Sequence, residues 1–171
     1  MAKGKRTLMN LVVRPAEAGE QPIMAELLQL YLKEFATFTH VDRDANGRYE
    51  YPYLSHYWQD PQRFPFLIVS NNTTLGLALV RLETDPLNGD QQTDMAEFFI
   101  LPAYRRQGLG QLAAKTLFGL FPGPWLVRVL LSNVAAEPFW RTCVEACTRG
   151  QFEETCATST RVFSFHFPIR K

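Results

Sequence analysis

The stretch AEFFILPAYRRQGLGQLAAK, residues 96–115, decides how the whole chain reads. It opens as an apolar, aromatic-rich run that stops at Pro102, which is a strand signature. Two arginines and two glycines one residue apart follow. The stretch then passes into an amphipathic repeat that predicts a helix over 108–121, with Leu109, Leu112, Ala113, Thr116, Leu117, Leu120 and Phe121 on one face. An ordinary helix start carries a capping Ser, Thr, Asp or Asn. This one carries glycine and positive charge. Cations at a helix N-terminus oppose the helix dipole unless an anion lies between them. Glycine lets a ligand approach the backbone closely. Arg105, Arg106, Gln107, Gly108, Leu109, Gly110 and Gln111 therefore form a candidate cradle for a pyrophosphate.

Of two nucleotide-binding readings of the same loop, the dinucleotide one is the weaker alternative and the P-loop one fails. GLGQLA fits the G-x-G-x-x-A pattern, but that pattern should follow its strand directly, with an acid at the tip of the next strand. Here residues 103–107 intervene, and the next strand ends in Ser132-Asn133. No G-K-[ST] follows, so a P-loop is excluded.

Working outward, LVVR at 11–14 predicts a first strand, and Pro22 starts a helix whose apolar face is Met24, Leu27, Leu28, Tyr31, Leu32 and Phe35. FPFLIVS (64–70) and LGLALVRLE (75–83) predict a hairpin around NNTT. DPLNGDQQTD (85–94) reads as a loop and MAEFFIL (95–101) as a strand. WLVRVLLS (125–132) lacks strict alternation and predicts a strand buried on both faces. A helix over 137–149 and a hairpin of 152–157 with 161–167 complete the chain. The strand-helix-strand unit in the middle implies one parallel pair with a right-handed crossover. The expected class is α/β (α+β): one domain over 11–171, a mixed, mostly antiparallel sheet with a central parallel strand pair, flanked by helices. Residues 1–10 are expected to be disordered.

The 171 residues carry a formal net charge of +1. That gives no general pull toward nucleic acid or a membrane surface, so any anion site must be local. The longest apolar runs fall short of the ~20 residues of a membrane span. The basic start MAKGKRTLMN has no apolar run behind it and is not a signal peptide. Cys143, Cys147 and Cys156 make no disulfide framework, which fits a cytoplasmic protein. His40, His56 and His166 have no ligand-spaced partners, and no metal site is expected. DRDANG (42–47) matches the start of an EF-hand loop, but the twelfth position is Tyr53 where the loop needs Glu.

Arg105-x-x-Gly108-x-Gly110 resembles the (Q/R)-x-x-G-x-(G/A) signature of the GNAT superfamily of N-acetyltransferases. NVAAEPFW, with Asn133, Ala136, Phe139 and Trp140, resembles the N-x-x-A-x-x-(F/L)-Y block that opens a later helix in that family. Element order agrees from the first strand to the last hairpin. The resemblance implies acetyl-CoA as co-substrate, its pyrophosphate on residues 105–111. It also implies contacts of the pantetheine and thioester with Phe99, Ile100 and Asn133, and Trp140 as a packing residue or a wall of the cofactor pocket. Glu97, on the strand leading to the loop, is the base candidate. The family's usual proton donor is a tyrosine where this chain has Trp140, and indole cannot protonate a thiolate. Either the thiolate leaves without an acid or a tyrosine from 49–57 reaches in. Asn133 reads equally well as a helix cap.

The segment 42–58 combines carboxylates with aromatic faces, a lining that suits a cationic amine. Asp42, Asp44, Glu50, Tyr53 and Tyr57 are its candidate acceptor residues, and a small local core is the competing reading. The expected activity is transfer of acetyl from acetyl-CoA to a primary amine of a small molecule or peptide, by a monomer or homodimer. The rival is a non-catalytic acyl-CoA-binding module.

Overall fold

The computed structural model describes residues 10–168; the expectation for residues 1–10 lies almost wholly outside them. Seven strands form one sheet: β1 (Leu11–Pro15), β2 (Arg63–Ser70), β3 (Thr73–Thr84), β4 (Gln91–Ile100), β5 (Gly123–Leu130), β6 (Phe152–Ala157) and β7 (Thr160–Phe167). Their order is β1-β2-β3-β4-β5-β7-β6, and every neighbouring pair is antiparallel except β4 and β5. Three helices cover it: α1 (Gln21–Phe35), α2 (Leu109–Leu120) and α3 (Ala136–Thr148).

Local chemistry explains the elements. Asn71 and Asn72 take φ of 47° and 62°, which lets a two-residue turn close the β2–β3 hairpin between Ser70 and Thr73. Pro22 lies in the first turn of α1, where its missing N–H costs nothing. The helix packs Met24, Leu27 and Leu28 against Leu67, Leu77, Leu79 and Phe99 on one sheet face, and Leu32 is buried as well. On the other face α2 and α3 enclose Phe118, Trp125, Trp140, Phe163 and Phe165.

Three sequence expectations are corrected. The segment 85–94 is not all loop: β4 begins at Gln91, and Gln91 to Asp94 pair with Thr84 to Arg81. These polar residues stay in the ladder because Asp94 finds cationic partners there. β5 alternates after all, with Trp125, Val127 and Val129 buried and Pro124 and Arg128 exposed, so only one of its faces is covered. The buried face of α2 is Leu109, Ala113, Ala114, Leu117 and Phe118, while Leu112 and Leu120 are about half exposed. Phe118 rotates the helix inward because its ring packs edge-on against Trp125 and Phe165, each with centroids 4.9 Å away.

Candidate active site

β4 and β5 share only two rungs, Thr93↔Trp125 and Asp94↔Leu126. Beyond them the strands diverge. The β5-facing edge of residues 95–100 thus has no strand partner, and a cleft opens at that end of the sheet. A bulge sits at the same place. Leu79 pairs with Glu97 and Val80 with Met95, so Ala96 is the extra residue. Met95 and Phe98 pack on the α2–α3 side, whereas Ala96 and Phe99 pack on the α1 side. The bulge brings Glu97 to the α1 side as well.

Glu97 is half-buried there. Burial pushes its carboxyl up to about 7, against an ordinary 4.5; the approaching hydroxyls of Tyr31 and Tyr51 pull it back, as does Arg81, while Asp94 pushes it further up. Both phenols are held protonated far above the usual tyrosine range by burial and then by Glu97 itself. The Tyr57 hydroxyl is buried and makes no hydrogen bond. A carboxyl of this kind, half ionised near neutral pH and ringed by hydroxyls, can take a proton from an ammonium group and pass it on.

The loop after β4 completes the cleft. Pro102–Tyr104 form a short 3-10 turn. Arg106 and Gly108 have φ of 58° and 80°, and α2 starts without a side-chain cap. Among the described residues, the backbone N–H groups of 107–111 have no protein partner. Five open amides at the positive end of a helix dipole make an anion site. A Cβ on Gly110 would stand 3.1 Å from Cε2 of Phe139, so a side chain there would crowd the α2–α3 contact beside the loop.

A family model, the acetyltransferase (GNAT) family, matches residues 24–143. The chain belongs to the GNAT acetyltransferase family. The GNAT fold is also seen in solved structures. An acetyltransferase from Thermus thermophilus superposes with a TM-score of 0.64 at 17% identity, covering 92% of this chain and 97% of that one. The ribosomal-protein-S18-alanine N-acetyltransferase of Escherichia coli gives 0.61 at 14%, covering 94% and 96%. Spermidine N-acetyltransferase of Vibrio cholerae, solved with CoA and spermine, gives 0.59 at 14%, covering 92% and 95%. No curated protein sequence matches the chain.

Within this GNAT frame the residues singled out from sequence divide into groups. Phe99 and Ile100 end the stretch of β4 whose β5-facing edge is open, and 107–111 form the amide row. Arg105 is engaged elsewhere: its Nε donates to the Ile100 carbonyl at 2.7 Å and its Nη2 to both Glu34 carboxylate oxygens at 3.0 Å. It ties the loop to β4 and α1. Asn133 acts as a cap, its Oδ1 accepting from the Ala136 amide at 3.2 Å. Trp140 is 7% exposed and packs against Phe98 with ring centroids 5.1 Å apart, which makes it core.

Of the acceptor candidates, Tyr57 lies close to the Glu97 neighbourhood together with Tyr51. The others are occupied locally or exposed. Asp42 accepts from His40 at 2.9 Å; Asp44 accepts from the amides of Asn46 and Arg48 and so holds its own turn; Glu50 and Tyr53 are exposed. That turn also accounts for the calcium-loop pattern. Among the described residues no cluster of His, Cys, Asp or Glu could hold a metal, and no helix is long and apolar enough to cross a membrane. Sequence reading missed Tyr31 as a site residue because it falls on the apolar face of α1. It also missed Arg81, Asp94 and Arg128, which are single charges on three strands and meet only through the sheet register.

Proposed function

We propose that this chain acetylates a primary amine by direct attack on the thioester of acetyl-CoA, with Glu97 as general base. The observation that carries the reading is the Glu97 carboxyl, held near neutrality on the open stretch of β4, next to a row of unpaired amides. The diphosphate of acetyl-CoA sits on amides 107–111, Arg106 adds positive charge, and the pantetheine arm runs along the edge of β4 toward Glu97. Backbone N–H groups of that edge take the oxyanion of the tetrahedral intermediate. The residues fit the co-substrate: the helix start has no side-chain cap and its N-cap, Gly108, takes the left-handed conformation that glycine allows.

The proton account balances with one residue. The ammonium loses a proton to Glu97, the free amine adds to the carbonyl carbon, and the C–S bond breaks as the intermediate collapses. A thiol has a pKa of about 8.5, above the roughly 7 of protonated Glu97, so the carboxyl can return its proton to the leaving thiolate. The second nitrogen proton goes to solvent. Tyr51 is too weak an acid to protonate the thiolate, and serves instead to orient Glu97 and donate a hydrogen bond.

The amine class is supported by the names of two structural neighbours, which act on an alanine amine and on spermidine. Aromatic walls from Tyr31, Tyr51 and Phe99 with a carboxylate at the base suit a cation. Cytoplasmic action on a small cationic amine or a basic peptide, as monomer or homodimer, completes the reading. Thiol release from acetyl-CoA with a panel of polyamines, peptides and amino sugars tests it. Amine-dependent release supports it. Saturable acetyl-CoA binding without release for any amine favours the acyl-CoA-binding module.

A further inference from the structure

At the last shared rung of β4 and β5, three strands are joined by charge. The Asp94 side chain is 3% exposed. Arg81 of β3 donates Nε to its Oδ2 at 2.8 Å, and Arg128 of β5 donates Nη1 to its Oδ1 at 2.6 Å. Glu83 of β3 closes the group by pairing with both arginines. A carboxylate buried this deeply needs such partners. The place matters more than the pair. One step further along, β4 leaves β5, and two residues later the bulge turns Ala96 and Glu97 to the face that Arg81 and Asp94 share.

We propose that Asp94, clasped by Arg81 and Arg128, is a positioning residue of the acetyl-transfer site: it fixes the mouth of the cleft and, with Arg81, sets the field in which the Glu97 carboxyl exchanges its proton. The assignment rests on Glu97 being the base. The groups facing Glu97 are Tyr31 from α1, Tyr51 and Tyr57 from the segment before β2, Arg81 from β3 and Asp94 from β4. Asp94 and Arg81 act on Glu97 in opposite senses, Asp94 raising its carboxyl pKa and Arg81 lowering it.

The experiment uses the full chain and four variants, Asp94→Asn, Arg81→Gln, Arg81→Lys and Glu97→Gln. Two readouts are taken: the acid limb of kcat/KM for thiol release, and the titration of the Glu97 carboxyl carbon by 13C NMR, assigned through Glu97→Gln. Asp94→Asn is expected to move the Glu97 titration to lower pH and Arg81→Gln to higher pH, each by about half a unit to one unit. Arg81→Lys keeps the charge and is expected to restore the wild-type position. Opposite shifts establish the field role. No shift in either variant, a shift in only one of them, or shifts of the same sign overturn it, even where both variants lose stability. If Glu97→Gln keeps the acid limb, the base assignment falls, and the carbon titration alone then decides whether the clasp sets the Glu97 field.

Discussion

Replacing Glu97 by Gln should remove activity and, above neutral pH, make the protein more stable. The carboxyl is held at about 7 in the folded chain against 4.5 ordinarily. A folded pKa above the unfolded one means that the folded state binds the extra proton. Below about pH 4.5 the group is neutral in both states and costs nothing. Between there and pH 7 the unfolded chain ionises first, and stability drains away as pH rises. Above pH 8 the full difference is lost, and at about 1.4 kcal/mol per pH unit the gap from 4.5 to about 7 comes to about 3 kcal/mol. Gln keeps the size and polarity of the side chain without the charge. Glu97→Gln should therefore exceed the wild type by up to about 3 kcal/mol at pH 8, or roughly 6–12 °C in Tm for a domain of this size, and match it near pH 4.5. Its kcat should fall ~10²- to 10⁴-fold, the usual worth of a positioned base. Urea unfolding at a series of pH values, with thiol release measured in parallel, gives both curves. A variant that is no more stable at pH 8, or a stability gap that does not close as pH falls, would refute the view that Glu97 is held against its ordinary titration for the sake of chemistry.

Gly110→Arg should lose acetyl-CoA affinity by at least about tenfold, or 1.4 kcal/mol, in calorimetric titration of the folded variant, because its Cβ would stand 3.1 Å from the Phe139 ring and push the start of α2 away from that contact. Gly76→Ala should be severely destabilised, by about 3 kcal/mol or more in thermal unfolding, since its Cβ would stand 2.0 Å from the Phe99 carbonyl oxygen and backbone must move. Tyr51→Phe removes a hydroxyl that lowers the Glu97 pKa, so the acid limb of the pH profile should move to higher pH. The exposed Tyr53, changed to Phe, should leave the limb in place.

How legible the molecule was in its sequence depended on whether a signal was local. Strand, loop and helix at 96–115 could be placed because Pro102, the arginines and the glycines punctuate a short segment. The paired asparagines 71 and 72 marked a hairpin for the same reason. The start of β4 was missed because Gln91, Gln92, Thr93 and Asp94 are poor strand residues, tolerated only because Arg81 and Arg128 arrive from neighbouring strands. Tyr31 belonged to the apolar stripe of α1 by spacing, and nothing local says that its hydroxyl approaches a carboxylate on β4. Arg105 fitted the phosphate motif by position, yet Glu34, distant in sequence, takes its side chain. The alternation of β5 was masked by Leu126 and Leu130, apolar residues on the less covered face.

The central claim is that acetyl-CoA is held by the uncapped start of α2 beside the cleft between β4 and β5. Hydrogen exchange of backbone amides, with and without saturating acetyl-CoA, tests it most directly. Amides 107–111 have no protein partner among the described residues, so they should exchange fast in the free protein and slow markedly when the co-substrate binds, together with the β5-facing edge of 95–100. Protection that falls elsewhere while 107–111 keep exchanging fast would contradict the account.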